Sequence, residues 1–450
     1  LGRLGTEVCT ITIQDNDVPP IVAAQQNFPD TIRVGASFFH QMLTSGPASP
    51  VTRWQASGLP PGLRIAPPTG VISGTPTTAG DFDRVLITAQ NASGKTTSTV
   101  FLLSVQPLPA ATVGSFTGFP ERDAANNGLG ARVDLTTTRS GAYTATVTIG
   151  KQRLVTRGVL DASGAAPAGV LNLGSQTLAF TVDAASGALS GAMLTGWANA
   201  AQAERSGACH FMALSAGNPD DQPQGACHGK AVISARGGVR VSGRTADGSV
   251  FTTSSALGVD GRLLVYQTLY RVPGTFCGVL AIADDALQAV NGALTWSKPA
   301  QTSGALYRDG WPAPQSLAVM GGRYRPVAGA TLPLDAAPTG GDNATLFLED
   351  GGIEAFGDNP RASGVRIVSA SRVTAAAPLK LTLNNRSGVI GGKLPLAQGA
   401  DKRTASFSGL LIPTGDPAAP FATRGCGYFV LPTAAKGVSR SGLLELSPNP

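Results

Sequence analysis

Short runs of alternating apolar and polar residues dominate this chain, and turns rich in glycine, proline and asparagine separate them. Clear examples are residues 63–65, 85–89, 96–105 and 141–150. A period of two is typical of strands that bury one face, whereas an amphipathic helix repeats every 3.6 residues. Long stretches with the helical period are scarce. The pattern therefore predicts an all-β chain.

The densest set of turn signals lies between residues 58 and 80. Residues 58–63 read GLPPGL, residues 69–76 read TGVISGTP, and a further turn follows at residues 78–80. Proline presets φ for a turn, and glycine takes positive φ without a Cβ clash. Closely spaced short strands with such turns predict a β-sandwich. The expected core residues are Leu63, Ile65, Val71, Val85, Ile87 and Phe101.

On these motifs, residues 28–106 resemble the He_PIG family of bacterial immunoglobulin-like domains. The family signature is a GLPxGL turn, a TGxISGTP strand and turn, and then an AG turn, and each stands here in that order. The resemblance implies an Ig/cadherin-like β-sandwich in a secreted or surface-anchored bacterial protein, and it implies no enzymatic activity. Another module rich in glycine and proline, with coincident turns, is the alternative.

The first 18 residues resemble the closing strand of a Calx-beta domain, because residues 7–14 alternate and then run into acidic and amide side chains. Asp15 and Asp17 would be the calcium ligands of such a domain, since Ca²⁺ takes six to eight oxygen ligands. Only the last strand is present, so we expect calcium binding only together with a preceding module. A polar linker is the alternative that we favour for this chain, and residues 19–27 form a further linker.

The long C-terminal region carries a degenerate repeat of hairpins, each a strand, a polar turn and a second strand. Such a run must hide its sheet edges, which antiparallel sheets do by closing into barrels. We predict two β-barrel-like domains, residues 107–275 and 276–448, with one fused meander as the alternative. The region also resembles an uncharacterised β-rich segment found beside Calx-beta and He_PIG modules in large bacterial surface proteins.

Composition sets further limits. The 450 residues include 57 glycines and 32 prolines, with 42% hydrophobic and 14% charged residues, so the chain can bury cores. The net charge of +6 is scattered singly, which argues against nucleic-acid binding. The chain contains no apolar run long enough to cross a membrane as a helix. We expect a piece of a longer exported protein, secreted or on the bacterial cell surface.

The cysteines suggest a disulfide. Cys209 and Cys227 each stand in a Gly-Ala-Cys-His sequence on either side of a loop, and exported proteins favour disulfides. We predict that these two are bridged, and Cys277 with Cys426 is a second candidate pair. A zinc site with the adjacent histidines is disfavoured, because neighbouring residues of a strand point to opposite faces. Free thiols are the remaining alternative.

Catalytic chemistry is hard to place. A hydrolase needs a base beside its nucleophile, and the chain has three histidines, one of them in a different expected domain from the other two. We therefore predict no enzyme activity, no catalytic residue and no cofactor apart from the calcium considered above. Aromatic residues that would stack on a sugar are Trp296, Tyr307 and Trp311, although core packing is the favoured interpretation of them.

Two functions stay open. The first is a non-catalytic surface or adhesion protein whose stacked β modules bind a glycan or a protein. The second is the accessory portion of a larger secreted polysaccharide-degrading enzyme.

Overall fold

The structure is a computed structural model. It describes residues 19–23, 27–45, 50–94, 96–123, 126–173, 176–215, 219, 221–284, 289–304, 306–329, 331–338, 340–414, 423–435 and 437–449. Within these residues the regular structure is β-strand, apart from four short 3-10 helices at Ala110–Thr112, Ala203–Arg205, Pro333–Asp335 and Ile353–Phe356. The all-β prediction is confirmed. None of the helices in the described ranges has the length and apolarity needed to cross a membrane.

The chain divides into two compact units. One comprises the described residues among 1–114, 136–144 and 156–192, and the other comprises the described residues among 115–135, 145–155 and 193–450.

The N-terminal sandwich contains nine strands. They are β1 (Ile21–Val22), β2 (Thr31–Arg33), β3 (Phe38–Gln41), β4 (Thr44–Ser45), β5 (Val51–Ser57), β6 (Leu63–Ile65), β7 (Val71–Gly74), β8 (Gly80–Asn91) and β9 (Thr96–Gln106). One sheet has the order β2-β9-β8-β5, a second has the order β3-β7-β6, and β1 pairs with β4. Strand β2 runs parallel to β9, and the other pairs are antiparallel.

The sandwich core matches the sequence-based expectation with one change of register. Leu63, Val85, Ile87 and Phe101 are buried as expected, and Ile65 is half-buried against the same core. In β7, however, Ile72 is fully buried and Val71 is only half-buried. Ile72 lies opposite Ile65 and His40 in the ladder, and the alternation of the strand then turns Val71 towards the other face.

Three eight-stranded sheets follow the sandwich. The first contains β10 (Gly114–Pro120), β11 (Arg132–Thr137), β12 (Ala142–Ile149), β13 (Gln152–Val159), β14 (Ala168–Asn172), β15 (Thr177–Val182), β16 (Leu189–Ser190) and β17 (Leu194–Ala198). The second contains β18 (Gly207–Leu214), β19 (Cys227–Ile233), β20 (Gly238–Arg244), β21 (Val250–Ala256), β22 (Arg262–Leu269), β23 (Gly274–Ile282), β24 (Val290–Trp296) and β25 (Gln315–Arg323). The third contains β26 (Ala344–Glu349), β27 (Arg361–Ser369), β28 (Arg372–Ala375), β29 (Lys380–Asn384), β30 (Val389–Gln398), β31 (Asp401–Pro413), β32 (Thr423–Pro432) and β33 (Ser439–Pro448).

All three sheets close in the same way. The first strand of each pairs with its last strand, β10 with β17, β18 with β25 and β26 with β33. The ends of each strand order are then two consecutive strands. They are the fourth and fifth strands in the first two sheets (β13 and β14, β21 and β22) and the third and fourth strands in the third sheet (β28 and β29), so every sheet is a nearly closed barrel with one seam. We call these places the seams of the first, second and third sheets. Such closure leaves few unpaired strand edges.

The structure has three sheets where the sequence led us to expect two domains. The expected boundary between residues 275 and 276 falls inside β23, which pairs on both sides within the second sheet. The hairpins resemble one another locally, so their sequences do not reveal which hairpin closes which sheet. That assignment rests on the long-range pairs between first and last strands.

The GLPPGL turn yields a first prediction. Gly62 has a φ of +98°, and a Cβ at this position would overlap the carbonyl oxygen of Thr75. Gly94 also has a positive φ, +77°, but its nearest neighbouring atom would be 3.9 Å from a Cβ. We expect Gly62→Ala to lower the free energy of unfolding of the sandwich by about 3 kcal/mol and Gly94→Ala by about 1 kcal/mol.

Both effects can be measured by urea dependence of hydrogen exchange in peptides from β5 to β9 of the full chain. Equal losses in the two variants would show that backbone conformation alone, and not the close approach of Thr75, requires the glycine.

Candidate ligand-binding site

The seam of the first sheet is where the candidate site forms. Strands β13 and β14 are joined by a short turn and are bridged only where that turn begins and ends. There Asp161 and Ala168 exchange two backbone hydrogen bonds of 2.8 and 2.9 Å. Beyond this bridge the strands stand at opposite ends of the strand order. The sheet therefore opens along the seam.

The hydroxyl of Tyr143, on β12, makes the hydrogen bonds that a neighbouring strand would otherwise make with Val170 at the edge of β14. It donates to the carbonyl oxygen of Val170 at 2.5 Å and accepts from the Val170 amide at 3.0 Å. The Thr156 hydroxyl accepts from the amide of Asn172 at 3.3 Å. Side chains thus satisfy backbone groups that a ladder would otherwise pair, which keeps the open edge from being left with unpaired polar groups.

Two glycines leave room for the aromatic rings beneath the seam. A Cβ on Gly158 would overlap the Tyr143 hydroxyl, and a Cβ on Gly169 would overlap the ring of Phe180. The Tyr143 and Phe180 rings meet edge to face, with centroids 5.4 Å apart. Both rings are buried, so they form the floor of the seam and present no open face to solvent.

Above this floor lies a groove of about 830 Å³. We call it the seam groove. Its walls are the side chains that β13 and β14–β16 direct outward, most of them small or aliphatic. They include Arg157, Val159, Asp161, Ala168, Val170, Asn172, Ala179, Thr181, Ser190 and Ala192. Val159 is 54% exposed and Val170 is 43% exposed, so the groove offers apolar surface to a ligand.

Charge in the groove is confined to its rim, at Arg157 and Asp161. Hydrogen bonds from the side chain and the backbone amide of Ser163 hold the pKa of Asp161 below its ordinary value, so this carboxylate is ionised at neutral pH. The same turn contacts the sandwich, because the Ser37 amide donates to the Ser163 hydroxyl at 2.9 Å. The Ala162 amide also donates to the carbonyl of Gly35, at 3.1 Å. The sandwich therefore fixes this end of the groove.

Comparison with known proteins identifies one part of the chain. Residues 13–106 match the model of a family described as "Putative Ig domain". The match covers the sandwich and is consistent with an extracellular or surface module. It begins before the described residues and includes Asp15 and Asp17, which lie outside them, as does the whole segment 1–18.

The solved structures that resemble the chain include a protein of unknown function from the DUF3598 family of Nostoc punctiforme, with 12% sequence identity and a TM-score of 0.18. The alignment covers 48% of this chain and 97% of that one. No curated protein matches the chain significantly.

The expected disulfides are absent, because Cys209, Cys227, Cys277 and Cys426 are all free thiols. Cys209 and Cys227 do lie on neighbouring strands, β18 and β19. Cys209 faces Ala231 and Cys227 faces Ala213, which puts the cysteines four residues apart along the ladder. That is about 13 Å at the rise of a strand, and a disulfide needs Cα atoms within about 7 Å. Cys277 and Cys426 belong to different sheets.

The adjacent histidines point away from the cysteines, as expected for neighbours on a strand. Cys209 and Cys227 face the core of the second sheet. His210 instead stacks on Tyr324, with ring centroids 4.2 Å apart, and its Nδ1 donates to the carbonyl of Leu411 at 2.8 Å. His228 packs against Tyr428. Among the residues described, no cluster of three or more metal-ligating side chains occurs.

Burial keeps both histidines neutral. It lowers the pKa of His210 to about 4 and that of His228 to about 3, from an ordinary value near 6.5. The positive charge of Lys230 lowers the pKa of His210 further, and that of Arg244 does the same for His228. Both side chains lie where the second sheet packs on the third.

Trp296, Tyr307 and Trp311 do come together, as the sequence analysis considered. The Trp296 and Trp311 rings meet edge to face at 4.7 Å, and Tyr307 lies 6.4 Å from Trp311. Both tryptophans are buried in the core of the second sheet. They pack the core and provide no exposed surface for stacking on a sugar.

The seam groove and a buried ion pair were not predicted from the sequence. Glycine inside a strand often marks a close approach, and Gly158 and Gly169 carried that signal. The ion pair joins Lys298 to Asp247. Lys298 lies two residues after Trp296, so the strand period could have placed both on the same inward face.

The Tyr143 hydroxyl gives a second prediction. Tyr143→Phe keeps the ring but removes the partner of the Val170 amide and carbonyl. We expect a loss of about 1–3 kcal/mol in the free energy of unfolding and faster exchange of the Val170 amide. The control is Thr181→Val, which removes an exposed hydroxyl that pairs with Ser190 at 2.9 Å and should change stability by less than about 0.5 kcal/mol. Urea unfolding and hydrogen exchange measure both, and an unchanged Val170 amide would contradict the assigned role.

The buried histidines give a third prediction. Their pKa values in the folded chain lie below the ordinary value, so the unfolded chain binds protons first as the pH falls. Stability should be complete above about pH 6.5 and should decrease below it, by about 3 kcal/mol for His210 and about 4 kcal/mol for His228 once the pH reaches the folded pKa of each. Urea unfolding of the full chain between about pH 7 and 5 measures the slope.

His210→Gln combined with His228→Gln should flatten that slope, because glutamine does not titrate. His40→Gln is the comparison outside the two sheets. Burial also lowers the pKa of His40, but this side chain is only half-buried, so its replacement should flatten the slope less than the double variant does. A slope that the double variant leaves as steep as in the original chain would exclude the two histidines as its cause.

Proposed function

We propose that this chain is a non-catalytic part of a secreted or cell-surface bacterial protein, and that its seam groove binds an extended segment of another protein. The observation that carries this proposal is the open edge of β13 beside an apolar groove. The match of residues 13–106 to an Ig family supports the extracellular setting, because such modules are typical of surface proteins.

The open edge suits a peptide backbone. Asp161 and Ala168 form a hydrogen-bonded pair of an antiparallel ladder, so Val159 directs its amide and carbonyl to the same edge, two residues away. The groups that would have met Val159 belong to Val170, and the Tyr143 hydroxyl binds them instead. An added strand could pair with β13 at this edge, which is the way several peptide-binding domains recognise extended segments.

The groove walls favour a protein segment over a sugar. Val159 and Val170 are exposed aliphatic side chains that would pack against alternate side chains of a bound strand. Sugar sites use exposed aromatic faces, whereas Tyr143 and Phe180 are 5% and 2% exposed. Arg157 and Asp161 at the rim would pair with charges of the ligand and set its register.

The alternative is the accessory portion of a larger secreted polysaccharide-degrading enzyme. In that case the seam groove would take a sugar chain, which its length along the seam and the polar side chains Asn172, Thr181 and Ser190 favour. In either case we propose that the chain has no enzyme activity of its own and no resident cofactor. Asp15 and Asp17 would contribute to a calcium site only with a preceding Calx-beta module.

The test probes arrays with the full chain. A protein array of extracellular and bacterial surface proteins is run beside a glycan array. We expect selective protein hits, and we expect Val159→Lys and Val170→Lys to weaken them by about tenfold or more, because the lysine would charge the apolar wall. Val250→Lys is the matched control, since Val250 is 63% exposed on β21 of the second sheet.

Each outcome decides between the candidates. Protein binding that Val170→Lys weakens and Val250→Lys does not would support the proposal. Glycan hits that depend on Val170 would favour the accessory role. Hits that neither groove variant affects would place the binding surface elsewhere and overturn the assignment of the groove.

A further inference from the structure

The core of the second sheet contains two opposite charges in direct contact. The Nζ of Lys298 lies 2.7 Å from the Oδ2 of Asp247, and the two side chains are 6% and 1% exposed. Asp247 comes from the turn between β20 and β21, and Lys298 lies just after β24. Transfer of such charges out of water is unfavourable, so a fully buried ion pair is a poor way to stabilise a fold and suggests another role for the two residues.

Every oxygen of the carboxylate is engaged. The Thr245 hydroxyl donates to Oδ1 at 2.6 Å and the Ser249 amide donates to it at 3.1 Å. The Tyr270 hydroxyl donates to Oδ2 at 2.8 Å, beside the lysine. The two oxygens are therefore unlike, because Oδ1 has two fixed donors and Oδ2 has a donor hydroxyl and the amine.

Tyr270 is held in place for this contact. Its φ is +68°, a left-handed conformation that is uncommon for a tyrosine and persists only where the surroundings impose it. The Trp296 indole donates to the Tyr270 hydroxyl at 2.8 Å, and the Lys298 Nζ lies 4.7 Å from the centre of the tyrosine ring. The hydroxyl is thereby aimed at Oδ2.

We propose that Lys298 and Asp247 condense to an intramolecular isopeptide bond. This proposal is independent of the seam groove. It accounts for the depth of the pair, for two donors on the oxygen that would carry negative charge in the tetrahedral intermediate, and for a hydroxyl at the oxygen that would leave.

The reaction balances with the atoms already present. One proton passes from the Lys298 ammonium to Oδ2 along the 2.7 Å contact, giving a neutral amine and a neutral acid. Burial favours this form, but the contact with Lys298 outweighs burial and holds the pKa of Asp247 below its ordinary value, so the neutral pair is the minor, reactive form. The Nζ lone pair attacks Cγ, and the charge that develops on Oδ1 is held by Thr245 and Ser249. Tyr270 relays a second proton from Nζ to Oδ2, the Cγ–Oδ2 bond breaks, and one water leaves. No oxidant or other reactant is needed.

The bond would fasten a large part of the second sheet. The two residues are 51 positions apart, and strands β21 to β24 lie between them. A link across that loop would hold the two sides of the seam of the second sheet together. There the strands otherwise meet at a bridge between Leu257 and Leu263 and at a hydrogen bond from the Thr253 hydroxyl to the Tyr266 carbonyl. It would provide a covalent constraint in a chain whose described cysteines are free thiols.

The decisive measurement is the mass of the full chain. We expect the reduced protein to be lighter than its sequence by one water molecule. Trypsin cleaves after Arg244, Arg262, Arg271 and Arg308 but not between Lys298 and Pro299, so fragments 245–262 and 272–308 should appear as one branched peptide. Fragmentation should locate the branch at Asp247 and Lys298. Full mass with the two fragments separate would overturn the proposal.

Two variants test the role of the tyrosine. Tyr270→Phe keeps the ring but removes the donor at Oδ2, and freshly made protein should then contain both masses, with linkage slowed by about a hundredfold or more. Tyr307→Phe is the matched control, because its hydroxyl bonds to Ser441 and does not touch the pair, and it should be fully linked. If Tyr270→Phe becomes fully linked as fast as the control does, Tyr270 takes no part in forming the bond. The digest of the original chain decides the bond itself even if a variant does not fold.

Discussion

The pairing of backbone polar groups at strand edges is the constraint on which this structure depends. An all-β chain must give each buried amide and carbonyl a partner, and a sheet leaves two edges exposed unless it closes. Each of the three C-terminal sheets meets this demand by pairing its first strand with its last. Closure then leaves the unpaired strand edges of each sheet at one seam, between two consecutive strands.

The candidate sites depend on which side chains lie at the seams. In the first sheet the Tyr143 hydroxyl satisfies the edge of β14, so the strands can stay apart and leave a groove. In the second sheet the Lys298–Asp247 pair connects the turn before β21, on one side of the seam, to the end of β24, on the other side. The seam of the first sheet is thus open, whereas a buried ion pair lies beside the seam of the second sheet.

The same residue types serve packing in one place and chemistry in another. Trp311 is a core residue, and so is Trp296, but the indole of Trp296 also orients Tyr270 towards Asp247. Gly158 and Gly169 matter because they have no Cβ, which leaves space for the rings of Tyr143 and Phe180. These roles depend on neighbours from distant segments, so composition and local pattern do not distinguish them.

The sequence by itself determined the all-β class and the immunoglobulin-like sandwich, because turns and alternation are local properties of glycine, proline and the strand period. It also separated the cysteines from their neighbouring histidines, for the same reason. Only the tertiary structure decided that there are three closed sheets, that Cys209 and Cys227 lie too far apart to bond, and that Lys298 meets Asp247. Those outcomes depend on which strand closes on which and in what register, and hairpins of similar sequence allow several long-range pairings with nearly the same local energy.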